Sequence, residues 1–302
     1  MMGSQPPSLG SDTLPNERQA TEYSTPHRRW VEVPGRVELT AVDAGVRMRS
    51  YVVGSPDRGE LLLIPGLCVS SYLRPAADAL AASGFRVHLV DPPGWPRSDA
   101  PPTPPADAAD IAEWVVRWMT EADLRDITLV GQSFGAQLAA HVAAQAPQRV
   151  LLLLLQGPTF DPAYRTMPRA AWRLACDFPR ERPSLLALEA PEWLRLGLRQ
   201  VRGVVRIGLR DRLETTVRRV RCPVLVAVGE HDTLSTRAWT RSLVDPRLVR
   251  SRHVVMTGLP HSSPHADPVG FARLVVTMTE DVAGSRAPHS PPGPQSRGEV
   301  SG

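Results

Sequence analysis

Short apolar runs, each closed by glycine, proline or aspartate, recur through the middle of the chain and alternate with helix-like stretches. The run Glu60–Ile64 shows no polar alternation, which suits a strand buried on both faces. Runs at 85–90, 127–130, 149–155 and 222–228 repeat the pattern, and 253–256 closes the series. Helices are expected between them near 76–82, 107–121, 136–146, 235–243 and 268–279. Two strand-like pieces, 36–42 and 46–53, come first, split by the turn signal Asp43-Ala44-Gly45. Strands alternating with helices at this spacing predict an α/β fold, a mostly parallel central sheet with helices on both faces.

The alternation stops from about 158 to 217. That segment is helical in pattern, rich in arginine and dotted with Trp172, Phe178 and Trp193, and it reads as an inserted helical cap. The expected organisation is a core in two parts, 29–157 and 219–283, interrupted by the cap over 158–218. The ends, 1–28 and 284–302, are rich in serine, proline and other polar residues and are expected to be disordered tails.

One junction organises the rest. Leu129-Val130 passes straight into Gly131-Gln132-Ser133-Phe134-Gly135 and then into an alanine-rich helix. Small residues on both sides of the serine allow a strained strand-to-helix turn that presents its hydroxyl at the tip. The helix behind leaves first-turn N–H groups free, which favours negative charge arriving there. A serine before a helix can be an ordinary N-cap, but the paired glycines and the preceding strand point to a nucleophile. A serine hydroxyl needs a base in hydrogen-bond reach and a third group to orient that base. Two later strand ends supply them, Asp232 in Gly229-Glu230-His231-Asp232 and His261 after 253–256. Glu230 and Asp161 are rivals for the acid, and His265 and His253 for the base. His261 is preferred because it follows its strand directly, with Pro268 opening the last helix. In a parallel sheet such strand ends share one edge, where sites form.

With these residues the chain resembles the α/β-hydrolase fold superfamily, in its serine-nucleophile, esterase- and lipase-like branch, over roughly 37–282. The matching motifs are Leu63-Ile64-Pro65-Gly66, the stretch Asp91-Pro92-Pro93-Gly94-Trp95-Pro96-Arg97-Ser98-Asp99, the Ser133 pentapeptide, Gly229-Glu230-His231-Asp232, and His261 with Pro268 beyond it. The resemblance implies a catalytic triad of Ser133, Asp232 and His261. It also implies an oxyanion hole from the backbone N–H groups of Leu67 and Phe134. One departure is Pro65-Gly66, where the family commonly has His-Gly. Epoxide hydrolases and haloalkane dehalogenases of this superfamily use aspartate as nucleophile, so Ser133 favours a serine hydrolase acting on a carboxylic ester, thioester or lactone through an acyl-enzyme. The same triad also serves lyases, C–C bond hydrolases and cyclases. A non-catalytic ligand-binding protein on this fold is the reading from outside enzymology.

Composition changes the picture little. The formal net charge is +4 and the pI about 9.4, yet the chain has no lysine, so its positive charge is arginine. Basic residues interleaved with aromatics in one patch are absent from the pattern, which argues against nucleic acid as a partner. Cys68, Cys176 and Cys222 are scattered, without a C-x-x-C pair, and argue for a reducing compartment and against zinc. No metal or organic cofactor is implied. No run approaches the roughly 20 apolar residues of a membrane span, and the N-terminus lacks a signal-peptide pattern, so a soluble cytoplasmic protein is expected. Trp95, Trp172 and Trp193, with Cys68 beside the first loop, are candidates for an apolar pocket around a small-molecule acyl substrate. Arg195, Arg199, Arg202, Arg206 and Arg210 recur at spacings of four, three, four and four. On one helix they form a stripe beside Leu194, Leu198, Val201 and Val205. Such a stripe is either a solvated face or a docking surface for an anionic group, such as a substrate carboxylate, a phosphopantetheine arm or an acidic carrier protein.

Overall fold

The computed structural model describes residues 35–244 and 251–284, so the expected tails at 1–28 and 284–302 lie outside the described residues, apart from Gly284, which ends the last helix. The chain enters the sheet through β1 (Arg36–Ala41) and β2 (Arg47–Val53), followed by β3 (Glu60–Ile64), α1 (Arg74–Ala82) and β4 (Arg86–Val90). Next come α2 (Ala108–Glu121), β5 (Ile127–Gln132), α3 (Phe134–Gln145) and β6 (Val150–Gln156). Four helices follow before the sheet resumes: α4 (Met167–Asp177), α5 (Pro183–Leu196), α6 (Leu198–Arg210) and α7 (Leu213–Thr216). The chain closes with β7 (Val224–Gly229), α8 (Arg237–Ser242), β8 (Ser251–Met256), α9 (Ser263–Ala266) and α10 (Pro268–Gly284).

The strands form one sheet in the order β1-β2-β4-β3-β5-β6-β7-β8. β2 is antiparallel to both β1 and β4, and every pairing from β4 to β8 is parallel. The unbroken apolar runs are explained by what covers them. On β3, Leu62 and Ile64 pack into one core with α2 and α3, while Leu61 and Leu63 pack into a second with α1 and α10. Side chains alternate across a strand, so a strand sandwiched between two helical layers must be apolar at every position. In α3, Ala136, Ala139, Ala140 and Ala143 are buried, and their small side chains let the helix lie close to the sheet. Arg49 of β2 reaches Asp91 at the end of β4 at 2.8 Å, a buried ion pair.

The parallel arrangement delivers the ends of β3, β5, β6, β7 and β8 to one edge of the sheet. Helices α4 to α7 join β6 to β7. They differ from the pattern expected of them in one respect. Gly197, at φ 83°, ends α5 and begins α6, so Arg195 and the later arginines do not share one helix. A glycine in the left-handed region is a common helix stop.

Candidate active site

The turn at the end of β5 is built by close backbone approach. A Cβ at Gly135 would lie 2.2 Å from the Ile64 carbonyl oxygen, and one at Gly131 would lie 2.3 Å from that of Gly135. Neither glycine takes the positive φ; Ser133 itself does, at φ 58° and ψ −121°. A non-glycine residue held there costs on the order of 1–3 kcal/mol and persists only where its surroundings enforce it. The Ser133 N–H is anchored on the Gln156 carbonyl at 2.9 Å, which ties the turn to the end of β6.

Ser133, His261 and Asp232 are brought together. The Ser133 hydroxyl lies 2.9 Å from His261 Nε2, and His261 Nδ1 lies 2.8 Å from Asp232 Oδ2. The other oxygen of Asp232 accepts the N–H groups of Leu234 and Ser235 at 2.8 and 2.7 Å. With its side chain fully buried, Asp232 has little freedom to turn. A carboxylate facing Nδ1 accepts the hydrogen bond that this nitrogen's proton donates, and leaves Nε2 free to accept from the serine. Gln156 donates to the His261 carbonyl at 2.9 Å, and Gly157 leaves the pair room, since a Cβ there would stand 3.0 Å from Nδ1. Burial alone would lower the pKa of His261, but the charge and hydrogen bond of Asp232 outweigh it and, with Asp177 and Glu181 beyond, push it up to about 9.

The rival residues are engaged elsewhere. Glu230 pairs with Arg237 and accepts the Gly258 N–H. Asp161 accepts from Thr236 and the Ala163 N–H. His265 bridges Ser184 and the Tyr72 carbonyl, and His253 faces Thr240.

Leu67 and Phe134 both line the cavity that contains Ser133. Phe134 opens α3, so its N–H has no partner within the helix. The loop after β3 carries two non-glycine residues at positive φ, Leu67 at 27° and Cys68 at 65°. It is pinned at two points, the first braced in turn from the end of β5. The Gly66 N–H donates to the Tyr72 hydroxyl at 3.0 Å, that hydroxyl donates to Gln132, and the Trp193 indole N–H donates to the Leu67 carbonyl at 3.0 Å. Tyr72, Gln132 and Gln156 escape the sequence reading because they act through a single hydroxyl or amide, with no spacing to betray them.

The cavity holds about 190 Å³ and is walled by apolar side chains including Phe134, Phe160, Leu174 and Leu185. Of the four pocket candidates, Trp193 lines it and the other three do not. Cys68 lies in the core beneath the loop at 1% exposure, where burial first and Asp91 second push its thiol pKa well up. Trp95 is packed in the same core, and Trp172 is 69% exposed on α4. Three carboxyls absent from the expected site also line the cavity: Asp177, Glu181 and Glu189. Burial pushes Glu181 up to about 7 and Glu189 up to about 8. Nothing in the sequence marks them, since acidic side chains are ordinarily solvated.

The arginine stripe is shorter than its spacing suggests. Arg195 pairs with Glu192 at 2.9 Å on α5. On α6, Arg199, Arg202, Arg206 and Arg210 are exposed and form no ion pair among the described residues. Leu194 and Leu198 are each 77% exposed rather than packed beneath the stripe. Among the described residues no helix is long and apolar enough to cross a membrane, and no group of three or more His, Cys, Asp or Glu side chains is placed to hold a metal ion.

This sheet order, strand-end serine turn and helical insertion define the α/β-hydrolase fold. A family model for that fold matches residues 60–187. Among curated proteins, a haloalkane dehalogenase of Mycolicibacterium paratuberculosis is 32% identical over 160 residues, covering 50% of this chain and 51% of that one. The chain thus spans about half the length of this relative. A pimeloyl-(acyl-carrier protein) methyl ester esterase of Yersinia pseudotuberculosis is 27% identical over 257 residues, covering 76% of this chain and 96% of that protein. A hydrolase structure from Pseudomonas aeruginosa superposes with a TM-score of 0.65 at 20% identity, covering 80% of this chain and 98% of that one.

Proposed function

We propose that the protein is a serine hydrolase that cleaves a carboxylic ester, thioester or lactone through an acyl-enzyme on Ser133. The observation that carries this reading is the unbroken hydrogen-bond chain from Ser133 through His261 to Asp232, at 2.9 and 2.8 Å. In the first half-reaction His261 Nε2 takes the hydroxyl proton as Oγ bonds to the carbonyl carbon. The proton then passes to the departing alcohol or thiol oxygen or sulfur as its bond to carbon breaks. Water repeats the sequence against the acyl-enzyme, and the acid leaves. Asp232 holds the ring and offsets the imidazolium charge. The negative charge that develops on the carbonyl oxygen falls to the N–H groups of Leu67 and Phe134; losing one such donor costs about 2.7–4 kcal/mol of barrier.

Dehalogenation, the activity named for one relative, fits the nucleophile poorly. Displacing halide with a serine oxygen forms an alkyl ether, which water does not cleave, and the enzyme would stop after one event. A carboxylate nucleophile forms an ester, which water does cleave. The methyl ester esterase, matched over nearly its whole length, carries a name in keeping with acyl chemistry. The test is covalent labelling with a fluorophosphonate, read by intact mass. A single adduct on the wild type and none on Ser133→Ala is the expected result. A folded wild type that takes no label would overturn the assignment.

A further inference from the structure

Among the described residues, the carboxyls in the cavity wall form no ion pair with an arginine, the partner that buried carboxylates ordinarily have. Asp177 accepts the N–H and hydroxyl of Thr233 through Oδ1, both at 3.0 Å. Glu181 accepts the Ser262 N–H through Oε1 at 2.7 Å, and its Oε2 is buried without a partner. Glu189 is the separate and more telling case. It comes from α5, lines the cavity, and makes no hydrogen bond or ion pair among the described residues. Burial is nonetheless the largest influence on it. It is half-buried and borders the cavity. No arginine figures among the charges that act on Glu181 or Glu189; the one cation is His261. Buried carboxyls without a counter-charge are costly, and a ligand that supplies one recovers that cost.

We propose that Glu189, backed by Glu181 and Asp177, is a specificity site for a protonated amine carried on the acyl chain of the substrate. This deepens the serine-hydrolase reading and rests on it. The chain attached to the reacting carbonyl extends from Ser133 along the apolar wall, and its ammonium group ends against Glu189. An organic cation fits better than a metal, because these three carboxyls are not placed as a metal-ligand group. The walls give the methylenes an apolar lining, and Glu189, ionised by the arriving ammonium group, has both oxygens free to accept from its N–H donors.

The experiment compares nitrophenyl esters of straight-chain ω-amino acids with isosteric fatty-acid esters over a series of chain lengths. In the wild type the amino ester is expected to show a kcat/KM at least about tenfold higher at its best length, the order set by a charge-assisted hydrogen bond. In Glu189→Gln that ratio collapses towards one, and KM for the amino ester carries most of the change. Equal rates for both series, or a preference for the fatty-acid ester, would overturn the site while leaving the hydrolase assignment intact. A second measurement does not depend on turnover. Calorimetry on Ser133→Ala should detect hexylammonium but not hexanol, with the heat lost when Glu189→Gln is added. Absence of hexylammonium binding overturns the site. Binding by a protein that hydrolyses neither ester series would uphold the site and sink the hydrolase reading instead.

Discussion

At the scale of single residues, the charge state of His261 sets the outcome of the proposed reaction. Only the neutral ring can take the Ser133 proton, and a pKa raised to about 9 means that neutral form grows as pH rises. The rate kcat/KM on a neutral ester is therefore expected to climb through an apparent pKa well above the ordinary 6.5, in a pH–rate profile. Asp232→Asn removes the attraction responsible, so the rising limb should move to lower pH while kcat falls on the order of 10⁴-fold. A limb at or below the ordinary histidine value in the wild type would contradict the role given to Asp232. Ser133→Ala should lose turnover yet keep a cooperative unfolding transition, since alanine fills the turn without a new contact.

At the scale of elements, the strand-to-helix turn depends on contact between backbones. Gly135→Ala would place a Cβ 2.2 Å from the Ile64 carbonyl oxygen and 2.5 Å from that of Pro65. β3 and α3 would have to separate. A loss of about 1–3 kcal/mol in urea unfolding is expected, together with slower fluorophosphonate labelling. Arg49→Met leaves Asp91 buried without its cation and should cost about 3–5 kcal/mol, read in the same unfolding experiment.

These elements also show what the sequence discloses. The strands, the serine turn and the order Ser133, Asp232, His261 are legible because each is local, an unbroken apolar run or a short motif at its end. Parallel topology then brings the ends to one edge without further information. The cavity is not legible in this way. Whether Trp95 or Trp193 faces it depends on how the loop after β4 turns and how α5 rotates against its neighbours, and both read alike as aromatic residues in an apolar context. Gly197 divides a pattern that periodicity alone would continue. Glu189 becomes unusual only once a wall forms around it.

At the scale of the whole molecule, the helices between β6 and β7 are fastened to the site itself. Trp193 holds the Leu67 carbonyl, Glu181 holds the Ser262 N–H, and Asp177 holds Thr233 beside the acid loop. Arg97, in the loop after β4, pairs with Glu192 of α5. Trp193→Phe keeps the ring and removes the N–H, a hydrogen bond worth about 0.5–1.5 kcal/mol. Since that bond steadies the loop bearing a proposed oxyanion donor, kcat should fall up to about tenfold with little change in melting temperature. A fall in melting temperature with kcat unchanged would assign Trp193 to packing alone.

These fastenings impose an order of events. Any excursion that lifts α4 and α5 enough to admit a substrate also releases the loop at Leu67 and the loop at Thr233, so the site is dismantled while it is open. It is reassembled when the same contacts form again. Entry and bond-breaking would then take turns, and a water molecule arriving through the open door would find a serine unable to use it.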